Sequence, residues 1–206
     1  TWMDAKVEDW VVTPRQGKAV EVNALWYNAL RSMETFAQLL DEPGEAYARA
    51  AAKVQTGFQR FWDDARGYCY DVVDAAQGND PSLRPNQIFA VALHHSPLDA
   101  KQQRAVVDVC ARHLVTSHGL RSLAPDHPDF VAHYGGGQRE RDGAYHQGTV
   151  WAWLMGPFVA AHLRVYQDPS MARSYLAPLL QHLRAHGVGS ISEIFDGEAP
   201  FTPRGC

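Results

Sequence analysis

Little in this sequence favours a polyanionic partner, a membrane span or a disulfide framework. Its 206 residues include three cysteines, Cys69, Cys110 and Cys206, without CxxC spacing. This odd number makes a reducing, cytoplasmic compartment the simpler interpretation. The net charge is −4 and no Lys- or Arg-rich run occurs, which argues against nucleic acid as a partner. Apolar runs are too short for a membrane-spanning helix, and Thr1 is not followed by the basic and apolar regions of a secretory signal.

Several common catalytic and metal-binding patterns are also missing. The glycine triplet 135–137 has neither the preceding strand nor the following lysine of a phosphate-binding loop. There is no GxSxG motif, and no cysteine has a convincing partner for nucleophilic catalysis. His94 and His95 are adjacent and point to different sides of a helix, while His113 and His118 are five residues apart. Neither pair has metal-ligand spacing, so no metal or cofactor is expected.

What the sequence does contain is aromatic residues and helical periodicity. Six Trp and eight Tyr suit stacking on sugars, but they equally suit a large helical core. Apolar residues from Val22 to Leu40 recur at i, i+3, i+4 and i+7 and stop at an Asp-Glu-Pro-Gly sequence, which predicts a helix. Similar patterns predict five more helices, over about 45–62, 86–94, 99–118, 147–166 and 169–186.

The connections between these helices alternate between short and long. A short strand or extended loop is predicted within 63–74, and a long glycine-rich loop over 120–146. The chain therefore reads as one domain over 1–206, an all-α toroid of helical hairpins of which only about six helices are present. Three hairpins leave two open flanks, and we expect each flank to pack against a partner surface.

Two acidic residues stand in loop-like stretches at the two ends of the chain. Asp4 lies in Trp2-Met3-Asp4-Ala5-Lys6. Trp2 in a water-poor cleft would raise the pKa of Asp4, whereas Lys6 would lower it. A helix cap or a turn is the commoner explanation of one acid beside an aromatic residue.

Glu193 lies among Ile191, Ile194 and Phe195. A charged side chain in such apolar surroundings calls for a reason, although a surface Glu between buried neighbours explains it equally well. Asp196 and Glu198 are rivals for any role of Glu193. Two acids carried on loops at one rim of a helical scaffold suit acid/base cleavage of a glycosidic bond.

Groups that could bind sugar hydroxyls cluster at predicted helix starts. Tyr145, His146 and Gln147 precede Trp151, and a second cluster consists of Arg84, Asn86 and Gln87. A third set, Asn23, Trp26 and Asn28, lies on the first helix. Helix capping and ordinary packing explain each of these sets as well as ligand binding does.

These motifs, in this order along the chain, carry a family resemblance. The chain resembles the C-terminal glucosidase domain of glycogen debranching enzymes, the amylo-α-1,6-glucosidase family of the bacterial and archaeal type. The matching stretches cover nearly the whole chain and are TWMDAK at 1–6, VTPRQGK at 12–18, NALWYNAL at 23–30, LRPNQ at 83–87, GLRSL at 119–123, YHQGTVW at 145–151 and GSISEIFDG at 189–197.

The resemblance implies an (α/α)6 toroid of twelve helices whose loops carry the catalytic pair. By that likeness Asp4 is the general acid and Glu193 the general base of an inverting hydrolase. Such an enzyme removes the single glucose left α-1,6-linked at a trimmed branch point of glycogen or limit dextrin. The substrate contacts expected on this basis are Trp2, Lys6, Trp26, Arg84, Asn86, Gln87, Tyr145, His146, Gln147 and Trp151.

The same resemblance implies that this chain supplies only the second half of the toroid. Five helices before Asp4 and one after Cys206 are missing from the family pattern, so we expect the fragment alone to be weak or inactive. The missing half or a second copy would cover the open flanks. Two alternatives remain: a non-catalytic carbohydrate-binding or regulatory helical domain, and a toroidal sugar epimerase. The epimerase requires a His pair, and His146 has no convincing second histidine.

Overall fold

The computed structural model describes residues 1–186 and 188–205 and shows a helix-rich fold. Gly187, near which the sequence predicts the end of the last helix, and Cys206 lie outside the described residues. The described residues form seven α-helices, α1 to α7 in chain order: Val20–Leu39, Glu45–Phe58, Phe89–Ala92, Ala100–His113, Gln138–Ala144, Met155–Tyr166 and Pro169–Ala185.

Local sequence explains where several of these helices begin. Asp99 accepts the amide of Gln102 while the Gln102 side chain accepts the amide of Asp99, a capping box that starts α4. Asp168 caps α7 by accepting two backbone amides, and Pro169 occupies the first turn, where a missing N–H costs nothing. Such caps satisfy the amide groups that a helix start leaves unpaired.

The main core lies between the helices, with α6 packing against α3, α4 and α7 and with α1 packing against α2 and α3. Fully buried side chains at its centre include Phe58, Ile88, Leu114, Leu154 and Phe158. A second, smaller apolar cluster of Tyr27, Leu30 and Ala51 lies between α1 and α2. Burial of apolar surface in these clusters provides the main driving force for folding.

Apart from the short strand or extended loop predicted within 63–74, where two strands lie, strands are the part of the fold that the all-α prediction missed. Four small antiparallel sheets join the helices at their loop ends. The eleven strands, β1 to β11, are Lys6–Val7, Trp10–Val11, Lys18–Ala19, Trp62–Asp63, Tyr68–Cys69, Val72–Ala75, Gly78–Asp80, Leu120–Arg121, Val150–Trp151, Ile194–Phe195 and Pro203–Arg204. Their pairings are β1–β2, β4–β5, β3–β6–β7 and the four-stranded order β11–β10–β9–β8. All-α is therefore corrected to helix-rich with small sheets.

Two predicted boundaries are wrong, and strand pairing explains the second of them. The predicted loop 120–146 contains α5, and the predicted helix 147–166 begins only at Met155. Residues 150–151 pair as strand β9 with β8 on one side and β10 on the other. Gly148 has a left-handed φ of 145°, which breaks helical geometry just before β9. Long-range strand pairing here outweighs the apolar helical spacing of the local sequence.

Both flanks of the helical layer present apolar side chains to solvent. The outer face of α1 exposes Val22, Leu25, Trp26, Met33, Phe36 and Leu39, and α7 exposes Met171, Leu176 and Leu180. These faces fit the expectation of two open flanks, and the partner that covers them stays a prediction. Within 1–186 and 188–205, no helix is both long enough and apolar enough to cross a membrane.

Candidate active site

Trp2 and Met3, the two residues before Asp4, hold the Asp4 loop in place. Met3 is buried, and its sulfur lies 3.6 Å from Asn86 Nδ2. Trp2 donates its indole N–H to Asn86 Oδ1 at 2.7 Å and packs edge-on against Trp151, with ring centroids 5.3 Å apart. Asp4 itself is exposed. Because its neighbours are anchored and its carboxyl group is exposed to solvent, Asp4 can contact a ligand directly.

A buried ionic network lies beneath this loop. Arg15 binds both oxygens of Glu21, at 2.5 and 2.6 Å, and both oxygens of Asp71, at 2.6 and 3.1 Å. Asn86 donates its amide to Asp71 at 2.7 Å, so it joins the network to Trp2. Burial acts to lower the pKa of Arg15, but the hydrogen bonds and charges of the two carboxylates raise it above its ordinary value. The guanidinium is therefore a permanent, paired charge.

Arg84 and Gln87, expected as substrate contacts, are structural supports in this fold. Arg84 is 5% exposed and donates to the carbonyl of His146 at 2.7 Å and to Gln147 Oε1 at 2.7 Å. Gln87 is 2% exposed and accepts the amide of Cys69. Their polar groups hold the 145–147 segment and the neighbouring strand in position from below.

Tyr145 brings the two ends of the chain together. Its hydroxyl donates to Glu193 Oε2 at 2.8 Å. Burial and the hydrogen bond to Glu193 raise the pKa of Tyr145, and the negative charges of Glu193 and Asp4 raise it further. Asp4 and Glu193, which are far apart in sequence, therefore lie near the same phenol.

Strand pairing explains why Glu193 reaches this position. Ile194 pairs with Trp151 and Phe195 pairs with Val150 across β10 and β9. The sheet thus fixes the residue after Glu193 directly against the segment that follows Tyr145. Backbone hydrogen bonds of this kind set register, so the position of Glu193 depends on tertiary pairing and not on its local sequence.

His146 is an almost fully buried polar residue of the site. It is 1% exposed and stacks on Trp151, with ring centroids 5.2 Å apart and planes 14° apart. Among the described residues neither ring nitrogen has a hydrogen-bond partner. Burial lowers the pKa of His146 to about 4, although the nearby charge of Asp4 acts to raise it. The imidazole is therefore neutral at pH 7.

The rival acid Asp196 is engaged elsewhere. It is buried and accepts the backbone amide of Tyr134 at 2.9 Å and the guanidinium of Arg204 at 2.9 Å. Burial acts to raise the pKa of Asp196, but these bonds and the charge of Arg204 lower it. Glu193 is instead exposed, with its carboxylate bound by Tyr145. Of these two acids, Glu193 is the one available to a ligand.

A histidine behind the Glu193 loop escaped the sequence analysis. His182 on α7 is 3% exposed, and its Nε2 accepts the backbone amide of Ser192 at 3.1 Å. Burial and the neighbouring His186 lower the pKa of His182, which favours the neutral form that this hydrogen bond requires. Nothing in the helical pattern of α7 distinguishes this residue from a surface histidine, so only the fold identifies it.

Two predicted contacts lie apart from this cluster. Trp26 is 54% exposed on the outer face of α1, and Lys6 is exposed on β1. No hydrogen bond, ion pair or ring contact between the described residues links either of them to Asp4 or Glu193. Among the described residues, no group of three His, Cys, Asp or Glu side chains is placed to hold a metal ion.

Comparison with known proteins matches these features to a family of carbohydrate-active enzymes. The glycogen debranching enzyme of Saccharomyces cerevisiae is 26% identical over an alignment of 206 residues, which covers 78% of this chain and 13% of the yeast protein. The chain thus spans about an eighth of that relative. Two solved structures share the fold. One is a GH63 mannosylglycerate hydrolase from Thermus thermophilus, with a TM-score of 0.69 and 18% identity over 91% of this chain and 42% of the hydrolase. The other is the neutral trehalase of Saccharomyces cerevisiae, with a TM-score of 0.65 and 15% identity over 91% of this chain and 34% of the trehalase.

The family match itself runs from the first residue to the last. It takes in the Asp4 loop, the Tyr145 segment and the Glu193 loop, which are linked by the contacts of Trp2 with Trp151 and of Tyr145 with Glu193. The sequence family whose pattern matches residues 1–206 is described as amylo-alpha-1,6-glucosidase, and this chain belongs to that family.

Proposed function

We propose that this chain carries the acid and the base of an inverting glycoside hydrolase. Its substrate would be the α-1,6-linked glucose at branch points of glycogen or limit dextrin. The observation that carries the proposal is the environment of Tyr145, which binds Glu193 and is also subject to the charge of Asp4. Membership of the amylo-alpha-1,6-glucosidase family supports the choice of bond.

In this mechanism the two acids act on opposite faces of the sugar. Asp4 protonates the glycosidic oxygen as it leaves, and Glu193 removes a proton from the water that attacks the anomeric carbon. The product is β-glucose. An inverting pair needs room for that water, with carboxyl groups about 6.5–9.5 Å apart.

Tyr145 has a specific part in this scheme. Its hydroxyl holds Oε2 of Glu193, and this leaves Oε1 as the oxygen that accepts the proton from water. A hydrogen bond to one carboxylate oxygen fixes the orientation of the other, which is how a base is kept aligned with its nucleophile.

The aromatic residues support the sugar itself. Trp2 is partly buried and packs edge to face on the buried Trp151, and the apolar surface of Trp2 suits the ring of a glucose unit. His146 is 1% exposed, stacks on Trp151 and stays neutral, so it supports that ring without introducing charge, and its own contact with substrate stays a prediction. Substrate roles for Lys6 and Trp26 stay predictions, because no described contact links them to the acids.

We also infer that these helices correspond to half of an (α/α)6 toroid. The chain covers 42% of one solved enzyme of this fold and 34% of the other. The exposed apolar faces of α1 and α7 are where further helices would pack. Because such helices would form the remaining wall of a sugar pocket, we expect residues 1–206 alone to hydrolyse substrate weakly.

Proton NMR of the first sugar released from a branched limit dextrin tests the proposal. We expect β-glucose to appear first, and Asp4→Asn or Glu193→Gln to abolish its release while dextrin binding persists. Asp9→Asn and Glu198→Gln, at exposed acids close to each in sequence, serve as matched controls and should retain the wild-type rate. An initial α-anomer would contradict inversion. Dextrin binding without glucose release in the wild type would favour a non-catalytic binding domain instead.

A further inference from the structure

A cleft is formed in part by the hairpin that follows Asp4 along the chain. It has a volume of about 670 Å³ and is walled by the β1–β2 hairpin, by α5 and by the 128–131 segment. Neither Asp4 nor Glu193 lines it. Its size falls within the range of ligand sites in proteins. We refer to it below as the Trp10 cleft.

The indole of Trp10 is the principal apolar surface of this cleft. Trp10 is 39% exposed, and the guanidinium of Arg139 lies 4.8 Å from the centre of its ring. The rim of the indole packs so closely on Gly143 that a β-carbon there would lie 3.0 Å from Cη2. A large exposed tryptophan held by a cation and by glycine backbone is a rigid surface on which an apolar ligand face can stack.

A fixed hydrogen-bond donor faces the same space. Gln147 lines the cleft and is 8% exposed. Its Oε1 is taken by the buried guanidinium of Arg84 at 2.7 Å. Among the described residues its amide nitrogen has no hydrogen-bond partner, so the side chain is oriented by Arg84 and keeps two N–H donors for a ligand.

The charges around the cleft argue for a neutral ligand. The carboxylates of Asp129 and Glu140 line it and are exposed, against one guanidinium, that of Arg139, which already stacks on Trp10. Acceptor oxygens, a fixed amide donor and an aromatic surface together match a polyhydroxylated ring with one apolar face. An anion would meet net negative charge here.

We propose that the Trp10 cleft binds a linear α-1,4-linked glucan segment. The choice of linkage rests on the proposed function, because a branch-point glucose is attached to such a chain. The hairpin that bears Trp10 begins two residues after Asp4, and Gln147 directly follows His146. Two segments that line the cleft therefore continue directly into the Asp4 loop and into the Tyr145 segment, so one substrate can reach both.

Calorimetric titration of the 206-residue chain with maltotetraose tests this proposal, because that ligand has no α-1,6 bond to cleave. We expect Trp10→Ala to weaken binding about tenfold and Trp10→Phe to weaken it less, since the phenyl ring keeps part of the stacking surface. Phe36→Ala, at an exposed aromatic residue of α1 far from the cleft, is the matched control and should bind like the wild type. Cellotetraose, whose linkages give a different chain shape, should bind more weakly than maltotetraose.

Equal binding by Trp10→Ala and the wild type, or no binding of maltotetraose by the wild type, would overturn the proposal. Circular dichroism of each variant verifies folding, which the exposure of Trp10 should spare. Glucose release from dextrin is measured separately with Asp4→Asn. If that variant keeps wild-type release while maltotetraose binding still depends on Trp10, the catalytic assignment fails and the cleft assignment stands.

Discussion

Acidification should destabilise the folded chain through His146. Its pKa is about 4 in the folded state, against 6.5 for an ordinary imidazole. Between these two values the unfolded chain binds a proton that the folded chain does not, so stability falls as the pH falls from 6.5 to 4. Above 6.5 the neutral ring is present in both states and the contribution is complete.

The size of this effect follows from the two pKa values. Each pH step inside the interval costs up to about 1.4 kcal/mol, so the whole interval costs on the order of 3 kcal/mol. This is a large part of the usual stability of a small domain. The burial of the ring against Trp151 is the main cause, and the charge of Asp4 reduces the effect.

Urea unfolding followed by circular dichroism at several pH values between 7.5 and 4 measures this cost. His146→Leu replaces the titrating ring with an apolar side chain of similar volume. The difference in unfolding free energy, wild type minus variant, should fall by on the order of 3 kcal/mol across the range. Other histidines with lowered pKa, such as His182, act in both proteins and cancel. Parallel pH curves for the two proteins would refute the reasoning.

Three further perturbations test the supports of the site. Tyr145→Phe should slow glucose release about 10- to 100-fold with a smaller change in KM, because it removes a hydrogen bond to a charged base; an unchanged kcat in steady-state assays would contradict this. Asp71→Ala should lower the unfolding free energy by about 3–5 kcal/mol, since it leaves the buried Arg15 without one of its two carboxylates; a loss below about 1 kcal/mol in urea unfolding would argue against it. His182→Gln should keep the amide of Ser192 protected from hydrogen exchange at acidic pH, below the lowered pKa of His182, where protonation of the wild-type ring removes the acceptor; the same pH dependence of Ser192 protection in the variant and the wild type would count against that role.

Sequence reasoning succeeded where local pattern and local chemistry agree. The apolar spacing from Val22 to Leu40 predicted a helix that the structure places at Val20–Leu39. The helix predicted to begin at residue 99 is α4, and Asp99 starts it through a capping box. Helix periodicity and cap residues act over a few neighbours, so they are visible in a single sequence.

It failed where distant segments pair. The stretch 147–154 has helical apolar spacing, yet it forms strand β9 and a 3-10 turn because Leu120 and Ile194 bring strands to both of its sides. The burial of Arg84 was also hidden, because an exposed and a buried arginine are the same in sequence. Its burial against the 145–147 segment depends on contacts more than 60 residues away.

The sequence by itself determined the helix-rich class and the motifs that place this chain in its family, because these depend on residue order alone. It also singled out Asp4 and Glu193 as candidate acids. Only the tertiary structure decided that the two acids share Tyr145 as a neighbour, that Asp196 is occupied by Arg204, and that Trp10 faces a separate cleft. The physical reason is that hydrogen bonds, burial and charge effects act through space over a few ångströms, and only the folded chain brings residues from both of its ends within that distance.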